Sequence, residues 1–278
     1  MSYIYDNIEF DIDIDELAYE YGINKFHLYK IFKKQRGRAI YETIKIIRLQ
    51  KAANLLIANN HLTISEISNM CGYSAYTSFS RAFKKRFGQT PKYWRNGGFI
   101  EYSNSILNEY EKQYTTNINF NSLKHDLVKV KPRMAYYCRQ VGYSSNYNNI
   151  WKKMDAWIYT HKIKEYEQIG IYHDNPTITQ LHEGNYVACV IPKDPEIELI
   201  NNNLPVLVID ECLCVTFEIE GTDADILMFT KWVYHEWLPN SEYDKTIIPS
   251  YIIFKNDYIE NKNGIIKGTF HIPVSPIF

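Results

Sequence analysis

The fold is decided by the stretch Ile64-Ser65-Glu66-Ile67-Ser68-Asn69-Met70-Cys71-Gly72-Tyr73, together with the residues that follow it to Arg95. Thr63 and Glu66 have the spacing of a capping box, so a short helix is predicted to begin here. Gly72 predicts a sharp turn, because glycine adopts positive φ without steric cost. A second helix is predicted from about Ala75 to Phe87, with phenylalanines every four residues along one face. Two short helices, a glycine turn and a basic outer face are typical of a helix-turn-helix motif with a recognition helix.

The same plan occurs earlier in the chain. Asp13 and Glu16 have capping-box spacing, and Lys25 to Gln35 is predicted to be the matching recognition helix. The glycines of the two copies keep regular offsets of 50 and 51 residues, Gly22 to Gly72 and Gly37 to Gly88. The two motifs are therefore internal repeats, with one residue inserted in the second turn.

One amphipathic helix is predicted between the motifs, from Ile40 to Asn59, with Lys45, Arg48 and Lys51 facing outward. A helix of roughly 20 residues spans about 30 Å. The major groove of B-DNA returns to the same face about every 34 Å. A connector of this length predicts that one monomer seats both recognition helices in successive major-groove segments. It would then read a bipartite, asymmetric site on double-stranded DNA.

Charge is distributed unevenly along the chain. Residues 25–98 contain 15 Lys and Arg against two acids, whereas residues 99–278 contain 16 Lys and Arg against 23 acids. Because the positive charges fall on the outer faces of the motifs, they predict a polyanion-binding module joined to a part of different function. A basic surface that is merely solvated is the alternative.

Composition excludes several further classes of protein. The 278 residues contain no run of eighteen apolar residues and no signal-peptide pattern, so a cytoplasmic protein without a membrane segment is expected. The five cysteines form no CxxC motif and lie mostly among apolar residues. Buried, reduced thiols are therefore expected rather than a redox or metal role. No metal site and no cofactor are predicted.

Residues of about 5–95 resemble the double helix-turn-helix DNA-binding domain of AraC/XylS-type transcription regulators. The resemblance rests on the signature Ile64-Ser-Glu-Ile-Ser-x-x-Cys-Gly-Tyr-Ser…Phe79-Ser-Arg-Ala-Phe-Lys-Lys-x-Phe-Gly-x-Thr-Pro91-x-x-Trp-Arg95. It implies that one face of each recognition helix reads bases. The implied base-reading residues are Phe26, Tyr29 and Lys30 in the first motif, and Tyr76, Thr77, Ser80 and Arg81 in the second.

These residues differ in the contacts that their chemistry allows. Arg81 is expected to contribute most, because a guanidinium can bind guanine O6 and N7 with two hydrogen bonds. A phosphate contact is the alternative for Arg81. Tyr29 stands where the family often has a polar amide, so a thymine-methyl or phosphate contact is expected from it. Salt-dependent phosphate contacts are expected from Lys33, Lys34, Lys84, Lys85 and Arg86.

The remaining sequence predicts a linker and a second domain. The DNA-binding domain is assigned to residues 1–98, a polar linker with one weak helix (Ser105 to Gln113) to residues 99–126, and the second domain to residues 127–278. Within the second domain a strand–helix–strand–strand order occurs twice, with Pro192 and Pro273 ending the last strand of each copy. The predicted fold class is α+β. An all-α domain is followed by two pseudo-symmetric βαββ halves, whose two sheets leave an aromatic-walled groove.

The second domain resembles the GyrI-like effector-binding domain over about residues 127–276, and the domain order is that of Rob-type regulators. The supporting residues are Gly170-Ile-Tyr-x-Asp174-Asn-Pro176, Glu236-Trp-Leu-Pro-x-Ser241 and Ile272-Pro273. The resemblance implies that lipophilic, often cationic aromatic compounds bind between the halves. The pocket candidates are Trp157, Tyr172, Trp237, Ile252 and Phe254, for which ordinary core packing is the alternative.

Ile252 departs from the family pattern, which usually has a glutamate at this position. Isoleucine cannot neutralise a bound cation, and aromatic faces attract one by only about 0.5–2 kcal/mol. A more neutral ligand is therefore expected, or a site that has lost small-molecule sensing. Glu218 and Glu236 are candidate substitutes, with a solvent-facing role as the alternative for each.

The sequence thus predicts a transcription regulator whose C-terminal domain senses a lipophilic small molecule, with RNA polymerase as a further candidate partner. One alternative makes the second domain a protein-interaction module. Another is a protein that hydrolyses or sequesters small molecules. Such chemistry needs a positioned acid or base, and no nucleophile–histidine–acid constellation occurs in the sequence, so an enzyme is not expected.

Overall fold

The structure is a computed structural model that describes residues 1–111, 116–143, 148–193, 204–255, 257–258 and 264–277. The chain divides into two compact units, Met1–Gly98 and Phe99–Phe278. Among the described helices, none combines the length and the apolarity that a membrane crossing requires.

The first unit is built from helices. They are α1 (Ser2–Asp6), α2 (Ile14–Glu20), α3 (Lys25–Arg36), α4 (Ile40–Ala58), α5 (Ile64–Met70), α6 (Tyr76–Phe87) and α7 (Pro91–Tyr93). The segment Trp94–Gly98 closes the unit with a kink, because Asn96 and Gly97 leave the helical conformation. The order of elements predicted from the sequence is confirmed, with α2–α3 and α5–α6 as the two motifs and α4 as the connector.

The start signals of the two motifs differ in strength. Thr63 and Glu66 form a complete capping box at the start of α5, as predicted. At α2, the Asp13 side chain accepts hydrogen bonds from the amides of Asp15 and Glu16, which caps the helix from one side only. The predicted capping box at α2 is therefore reduced to a single cap.

Arg48 fastens the N-terminal segment to the connector helix. Its guanidinium donates hydrogen bonds to the carbonyl oxygens of Ile8 (3.0 Å) and Phe10 (2.6 Å). A Cβ atom added at Gly72, which has a φ of +73°, would lie 2.7 Å from the same guanidinium. The prediction that Arg48 faces outward is therefore wrong, because this side chain fills the space between the N-terminal segment and the turn of the second motif.

The second motif has its own aromatic core. Phe79, Phe83 and Phe87 are buried along one face of α6. Trp94 closes this row, with ring centres 5.6 Å from Phe83 and 4.7 Å from Phe87. The indole Nε1 of Trp94 donates to the carbonyl oxygen of Ala53 (3.1 Å), which ties the second motif to α4.

The second unit combines a sheet with helices, so the α+β class is confirmed. Its helices are α8 (Phe99–Glu111), α9 (Asn148–Thr160) and α10 (Asp223–Trp232). Its strands are β1 (His125–Val130), β2 (Arg133–Val141), β3 (Tyr166–Tyr172), β4 (Asn185–Pro192), β5 (Val206–Ile209), β6 (Cys212–Gly221), β7 (Tyr243–Lys245), β8 (Ser250–Phe254) and β9 (Ile266–Pro276). A short 3-10 turn lies at Phe120–Ser122, and α10 continues into a π-helical turn at Val233–Trp237.

Residues 99–126, expected to be a linker, contain structure that packs within the second unit. α8 takes the place of the helix predicted at Ser105–Gln113, whose last two residues lie outside the described part of the chain. Trp232 Nε1 donates to Asn121 Oδ1 (2.8 Å), and Lys231 Nζ donates to Asn104 Oδ1 (3.3 Å). This segment is therefore attached to α10 by specific hydrogen bonds.

The nine described strands belong to one antiparallel sheet in the order β1-β6-β9-β8-β3-β4-β2-β5, with β7 paired to β9. β3 and β8 pair at the centre, where Gly170 lies opposite Ile252. The expectation of two separate sheets is wrong, because this central pairing joins them. Pro273 lies inside β9, opposite Cys214, and does not end the strand as predicted.

The sheet curls strongly, as its connections require. β1 and β2 stand six places apart in the strand order, yet only Lys131 and Pro132 connect them. A flat sheet would separate these strands by about 29 Å, whereas three residue steps span at most about 11 Å. The inner face of the curled sheet buries one apolar cluster, Val130, Ala135, Ile169, Ile171, Val187, Cys189, Ile209, Cys214 and Tyr251.

Candidate functional site

The outer faces of α3 and α6 form the first candidate site. Each helix has 12 residues and ends at a glycine in the left-handed conformation, Gly37 in one and Gly88 in the other. Five of the seven predicted base-reading residues are exposed, namely Phe26, Lys30, Tyr76, Thr77 and Arg81. Tyr29 and Ser80 are half-buried. The arrangement thus presents most of the predicted residues to solvent on two equivalent helices.

The cations of these two helices are available to an anionic partner. Within the described residues, six of them form no ion pair: Lys30, Lys33, Lys34, Arg81, Lys84 and Lys85. Lys25 is different, because its Nζ lies 3.0 Å from the Asp15 carboxylate. Arg86 is half-buried, with its guanidinium 5.9 Å from the centre of the Phe87 ring. Arg86 is therefore less available for the phosphate contact predicted for it.

The two predicted aromatic readers of α3 occupy different environments. Phe26 is 71% exposed at the start of the helix, where its amide donates to the Asn24 side chain (2.8 Å). Tyr29 packs against the apolar core of the first motif, which includes Leu17 and Phe32. Its ring centre lies 6.3 Å from that of Tyr41. A hydrogen bond with Tyr29 raises the pKa of Tyr41. Phe26 is thus the exposed aromatic side chain of the first motif.

A row of aromatic side chains crosses one face of the sheet and contacts both α9 and α10. Its members are Phe254, Trp151, Tyr186, Tyr172, Phe270, Phe229, Phe217 and Trp237. Of the predicted pocket residues, Tyr172, Phe254 and Trp237 lie in this row. Trp157 lies outside it and packs against Tyr136 (4.8 Å) and His161 (4.9 Å). The structure therefore does not bring all the predicted pocket residues together.

Two glycines, Gly170 and Gly268, leave room for neighbouring side chains at the centre of the sheet. A Cβ atom at Gly170 would lie 2.4 Å from the Tyr186 hydroxyl and 3.2 Å from the Phe254 ring. Ile252, opposite Gly170, is completely buried, and its side chain would meet a Cβ atom added at Gly268. Ile252 thus contributes packing beneath the aromatic row and supplies no charge there.

Asp223, at the start of α10, is a carboxyl group beside this row that the sequence reasoning missed. It forms a hydrogen bond with the Tyr258 hydroxyl, and the Tyr258 ring lies 5.3 Å from Trp151 and 5.1 Å from Phe254. Burial raises the pKa of Asp223, against the opposing effect of the Tyr258 hydrogen bond. In the sequence Asp223 resembles an ordinary first-turn acid next to Thr222, which is why no pattern singles it out.

The two carboxylates proposed from sequence as substitutes point elsewhere. Glu218 is exposed, forms an ion pair with Lys255 and accepts a hydrogen bond from Thr269 Oγ1 (2.8 Å). Glu236 is exposed. Both therefore fit the solvent-facing alternative better than a role in the aromatic row.

An open groove of about 430 Å³ connects solvent with the Phe254 end of the row. It is lined by Lys164, Glu165, Tyr166, Gln168, Lys193, Phe254, Lys255 and Asp257. The buried Gln168 side chain accepts a hydrogen bond from the Tyr258 amide (2.8 Å) and donates to Asp257 (3.4 Å). Gln168 thus holds the segment that carries Tyr258 against the groove.

Polar residues of the GyrI-like signature stabilise the loop between β3 and β4. The Asp174 carboxylate accepts hydrogen bonds from the Asn185 amide (2.9 Å) and from Asn185 Nδ2 (2.7 Å). Thr177 Oγ1 lies 3.1 Å from His235 Nε2, and burial lowers the pKa of His235 to about 4, so the imidazole is neutral at pH 7.

Among the described residues, no group of three or more His, Cys, Asp or Glu could hold a metal ion.

Curated proteins and solved structures match parts of the chain. The xylose operon regulatory protein of Escherichia coli strain K12 is 38% identical over 96 residues, which are 34% of this chain and 24% of that protein. The probable transcription factor PqrA of Proteus vulgaris is 38% identical over 87 residues, 31% of this chain and 70% of that protein. This chain therefore spans about a quarter of the former and most of the latter. A crystal structure of the EcmrR C-terminal domain is 16% identical, covers 56% of this chain and 99% of that chain, and has a TM-score of 0.45.

Two protein families match consecutive parts of the chain. Residues 17–97 match a helix-turn-helix domain, within the first unit. Residues 123–274 match the GyrI-like small molecule binding domain, which is more than half of the chain. The chain therefore belongs to the AraC-type helix-turn-helix transcription regulators that carry a GyrI-like small molecule binding domain.

Proposed function

We propose that the protein is a sequence-specific regulator that binds one asymmetric, bipartite DNA site as a monomer, with α3 and α6 in successive segments of the major groove. The observation that carries this proposal is the pair of equivalent 12-residue helices whose outer faces present exposed, unpaired cations. The connector α4 has 19 residues and is therefore about 28 Å long, close to one turn of B-DNA. Such a regulator implies RNA polymerase as a further partner. We place the regulator itself in the cytoplasm.

In this proposal the two motifs use different chemistry. Arg81 reads a guanine through paired hydrogen bonds, supported by Tyr76, Thr77 and Ser80. In the first motif, exposed Phe26 and Lys30 read the groove, with Tyr29 at its margin, and Phe26 offers an apolar contact for a thymine methyl group. Phosphate affinity comes mainly from Lys33, Lys34, Lys84 and Lys85, with Arg86 contributing less.

Binding-site selection from random duplexes tests this proposal, with the full chain and with two variants. Wild-type protein is expected to select two sequence blocks. Arg81→Ala should lose about 5- to 150-fold in affinity for that DNA and relax selection at one position of one block only. Lys45→Ala removes an exposed lysine of α4 outside both recognition helices and is the matched control, which should keep both blocks. Unchanged selection by Arg81→Ala would contradict the base-reading role.

We further propose that the second unit binds a lipophilic aromatic compound at the Phe254 end of the aromatic row. Three features support this position: the open groove of about 430 Å³, the rings of Trp151 and Tyr258 against Phe254, and the Asp223 carboxyl group. The strand order on either side of the β3–β8 pair also supports two pseudo-symmetric halves that meet here.

The ligand of this site is expected to be neutral. Ile252 supplies no charge, and the Asp223 carboxyl group, whose pKa burial raises, already accepts a hydrogen bond from the Tyr258 hydroxyl. A ligand has to displace the Tyr258 ring, or stack on it, to reach Trp151.

A thermal-shift comparison of neutral aromatic compounds with lipophilic amines tests the second proposal. Neutral compounds should raise Tm with the concentration dependence of mass action. Phe254→Ala should remove this shift, whereas Trp237→Phe, a change at the far end of the row, should keep it. A shift lost with Trp237→Phe alone would place the ligand elsewhere. Stabilisation by no compound at all would favour the protein-interaction alternative.

A further inference from the structure

Two cysteines lie side by side where β6 begins. Cys212 and Cys214 are two residues apart on one strand, so their side chains share one face. Their Sγ atoms are 3.5 Å apart. Cys214 is fully buried, whereas Cys212 is half-buried and therefore within reach of small solutes.

A positive charge stands beside this pair. Lys245 is buried on β7, and its ammonium group donates hydrogen bonds to the carbonyl oxygens of Thr246 (2.8 Å) and Ile248. The hydrogen bond from Cys214 lowers the pKa of Cys212, and Lys245 lowers it further against the opposing effects of burial and Asp210. The same hydrogen bond and burial raise the pKa of Cys214. The pair thus places a half-buried thiol whose pKa is lowered next to a buried thiol whose pKa is raised.

The other cysteines lack this arrangement. Burial raises the pKa of Cys71 to about 12 and also raises the pKa of Cys189. Cys138 is half-buried like Cys212, but burial raises its pKa too. Because the thiolate is the reactive form of cysteine, these three residues provide internal controls.

We propose that Cys212 and Cys214 form a reversible redox modification site that small hydroperoxides oxidise to an intramolecular disulfide. The Cys212 thiolate attacks one peroxide oxygen, the O–O bond breaks, and the departing alkoxide takes a proton to become an alcohol, or water when the oxidant is hydrogen peroxide. The resulting sulfenic acid is attacked by Cys214, the S–O bond breaks and water leaves with the Cys214 proton. Two thiols are oxidised and one hydroperoxide is reduced.

The strand geometry makes this disulfide easy to reduce. Two residues along a strand separate the Cα atoms by about 6.6 Å, at the upper limit of about 6.8 Å for a disulfide, so β6 has to shorten locally. At Cys212 the strand is paired with β1 only, because the β6–β9 ladder begins at Leu213, so this end of β6 is less constrained. A strained disulfide has a more oxidising potential, so a dithiol reductant restores both thiols.

Site-resolved oxidation of the full-length protein tests this proposal. The protein is treated with hydrogen peroxide, free thiols are alkylated, and the peptides are quantified by mass spectrometry. The free thiols of Cys212 and Cys214 should disappear together, giving one peptide with an internal disulfide. This loss should be at least about ten times faster than modification of Cys138, and the thiols of Cys71 and Cys189 should remain unchanged. Dithiothreitol should restore both thiols.

Variants separate the two steps of the reaction. Cys214→Ser should form a sulfenic acid at Cys212 that dimedone traps, whereas Cys189→Ala should leave the oxidation rate of the pair unchanged. Lys245→Met should slow the reaction of Cys212. The proposal is overturned if Cys212 in the native protein reacts no faster than Cys138. It is also overturned if Cys212 proceeds to sulfinic acid while Cys214 stays a free thiol.

Discussion

The two helix-turn-helix motifs have recognition helices of equal length, but they are anchored differently. α6 buries four side chains, and its three phenylalanines contact one another in a row that Trp94 closes against Phe83 and Phe87. α3 buries only Phe32 among the described residues, with Leu28 and Tyr29 packed at the edge of its core. Sequence repeats can therefore preserve a helix and its capping glycine while changing how rigidly the helix is held.

The motifs also differ in electrostatics. Acidic side chains surround the start of α2, and Asp15 forms an ion pair with Lys25 of α3. The second motif has a single acid, Glu66, and its carboxylate is used by the capping box, where the Thr63 hydrogen bonds lower its pKa. The second motif is therefore more firmly packed and more electropositive than the first. We expect the first motif to contribute less to DNA affinity.

The largest expected difference concerns the equivalent phenylalanines Phe83 and Phe32. Phe83→Ala should destabilise the first unit by about 3–5 kcal/mol, because it empties a fully enclosed site. Phe32→Ala should cost less, about 2–3 kcal/mol, since Phe32 retains slight exposure. Urea denaturation followed by circular dichroism measures both, with exposed Phe26→Ala as the neutral control. Equal losses for Phe83 and Phe32 would contradict the difference in anchoring.

The turn glycines sharpen the same comparison. Gly22 and Gly72 both have positive φ, but only Gly72 lies against another residue, the Arg48 guanidinium. Gly22→Ala should cost about 1–2 kcal/mol from backbone strain alone. Gly72→Ala should cost about 3 kcal/mol, because Arg48 must also leave the carbonyl oxygens of Ile8 and Phe10.

An Arg48→Ala background provides the control for the glycine experiment. In that background the two glycine substitutions should have similar costs, because the side chain that distinguishes them is absent. A persistent difference would mean that something other than Arg48 restricts Gly72.

Paired lysines on the two helices should contribute a smaller, sequence-independent effect. Lys84→Ala with Lys85→Ala, and separately Lys33→Ala with Lys34→Ala, should each lower the slope of log K against log salt by about 1.8. Affinity should fall equally for specific and random duplexes, as fluorescence anisotropy across a salt series would show. A change in the selected sequence would instead make these lysines base readers.

The smallest expected effect comes from the ion pair of the first motif. Asp15→Asn frees Lys25 and removes a negative charge near α3, so DNA affinity should rise about two- to five-fold at low salt. Glu101→Gln, at an exposed acid of the second unit, is the matched control. A similar gain from the control would show that net charge, and not this ion pair, limits binding.

The helical unit was largely predictable from the sequence because its signals are local. The Thr63–Glu66 box, the turn at Gly72 and the four-residue spacing of Phe79, Phe83 and Phe87 each act within one or two helical turns. Arg48 was assigned to the wrong environment, because its partners Ile8 and Phe10 lie about forty residues away. Helical periodicity places a residue on a face but does not identify a distant backbone that covers it.

The sheet was less predictable because strand pairing is not local. The strand pattern at β2, β3, β4 and β8 was recognisable in the sequence. In contrast, β1 pairs with β6 and β5 pairs with β2, at opposite ends of the strand order, and these pairings depend on how the whole sheet curls. The candidate pocket shows the same limit. Tyr172 and Phe254 were found by resemblance, but Asp223 and Tyr258 meet only in the folded chain, so no spacing in the sequence indicates them.

Binding of one duplex by two helices of one chain is tested most directly by the spacing of the two DNA blocks on a duplex selected by the full chain. One protomer with two fixed helices should bind one duplex, and inserting about five base pairs, half a helical turn, should reduce specific affinity at least tenfold. Inserting about ten base pairs should not restore binding, because α4 has a single length. Unchanged affinity after the half-turn insertion, or two protomers on each duplex, would contradict reading by two helices of one chain.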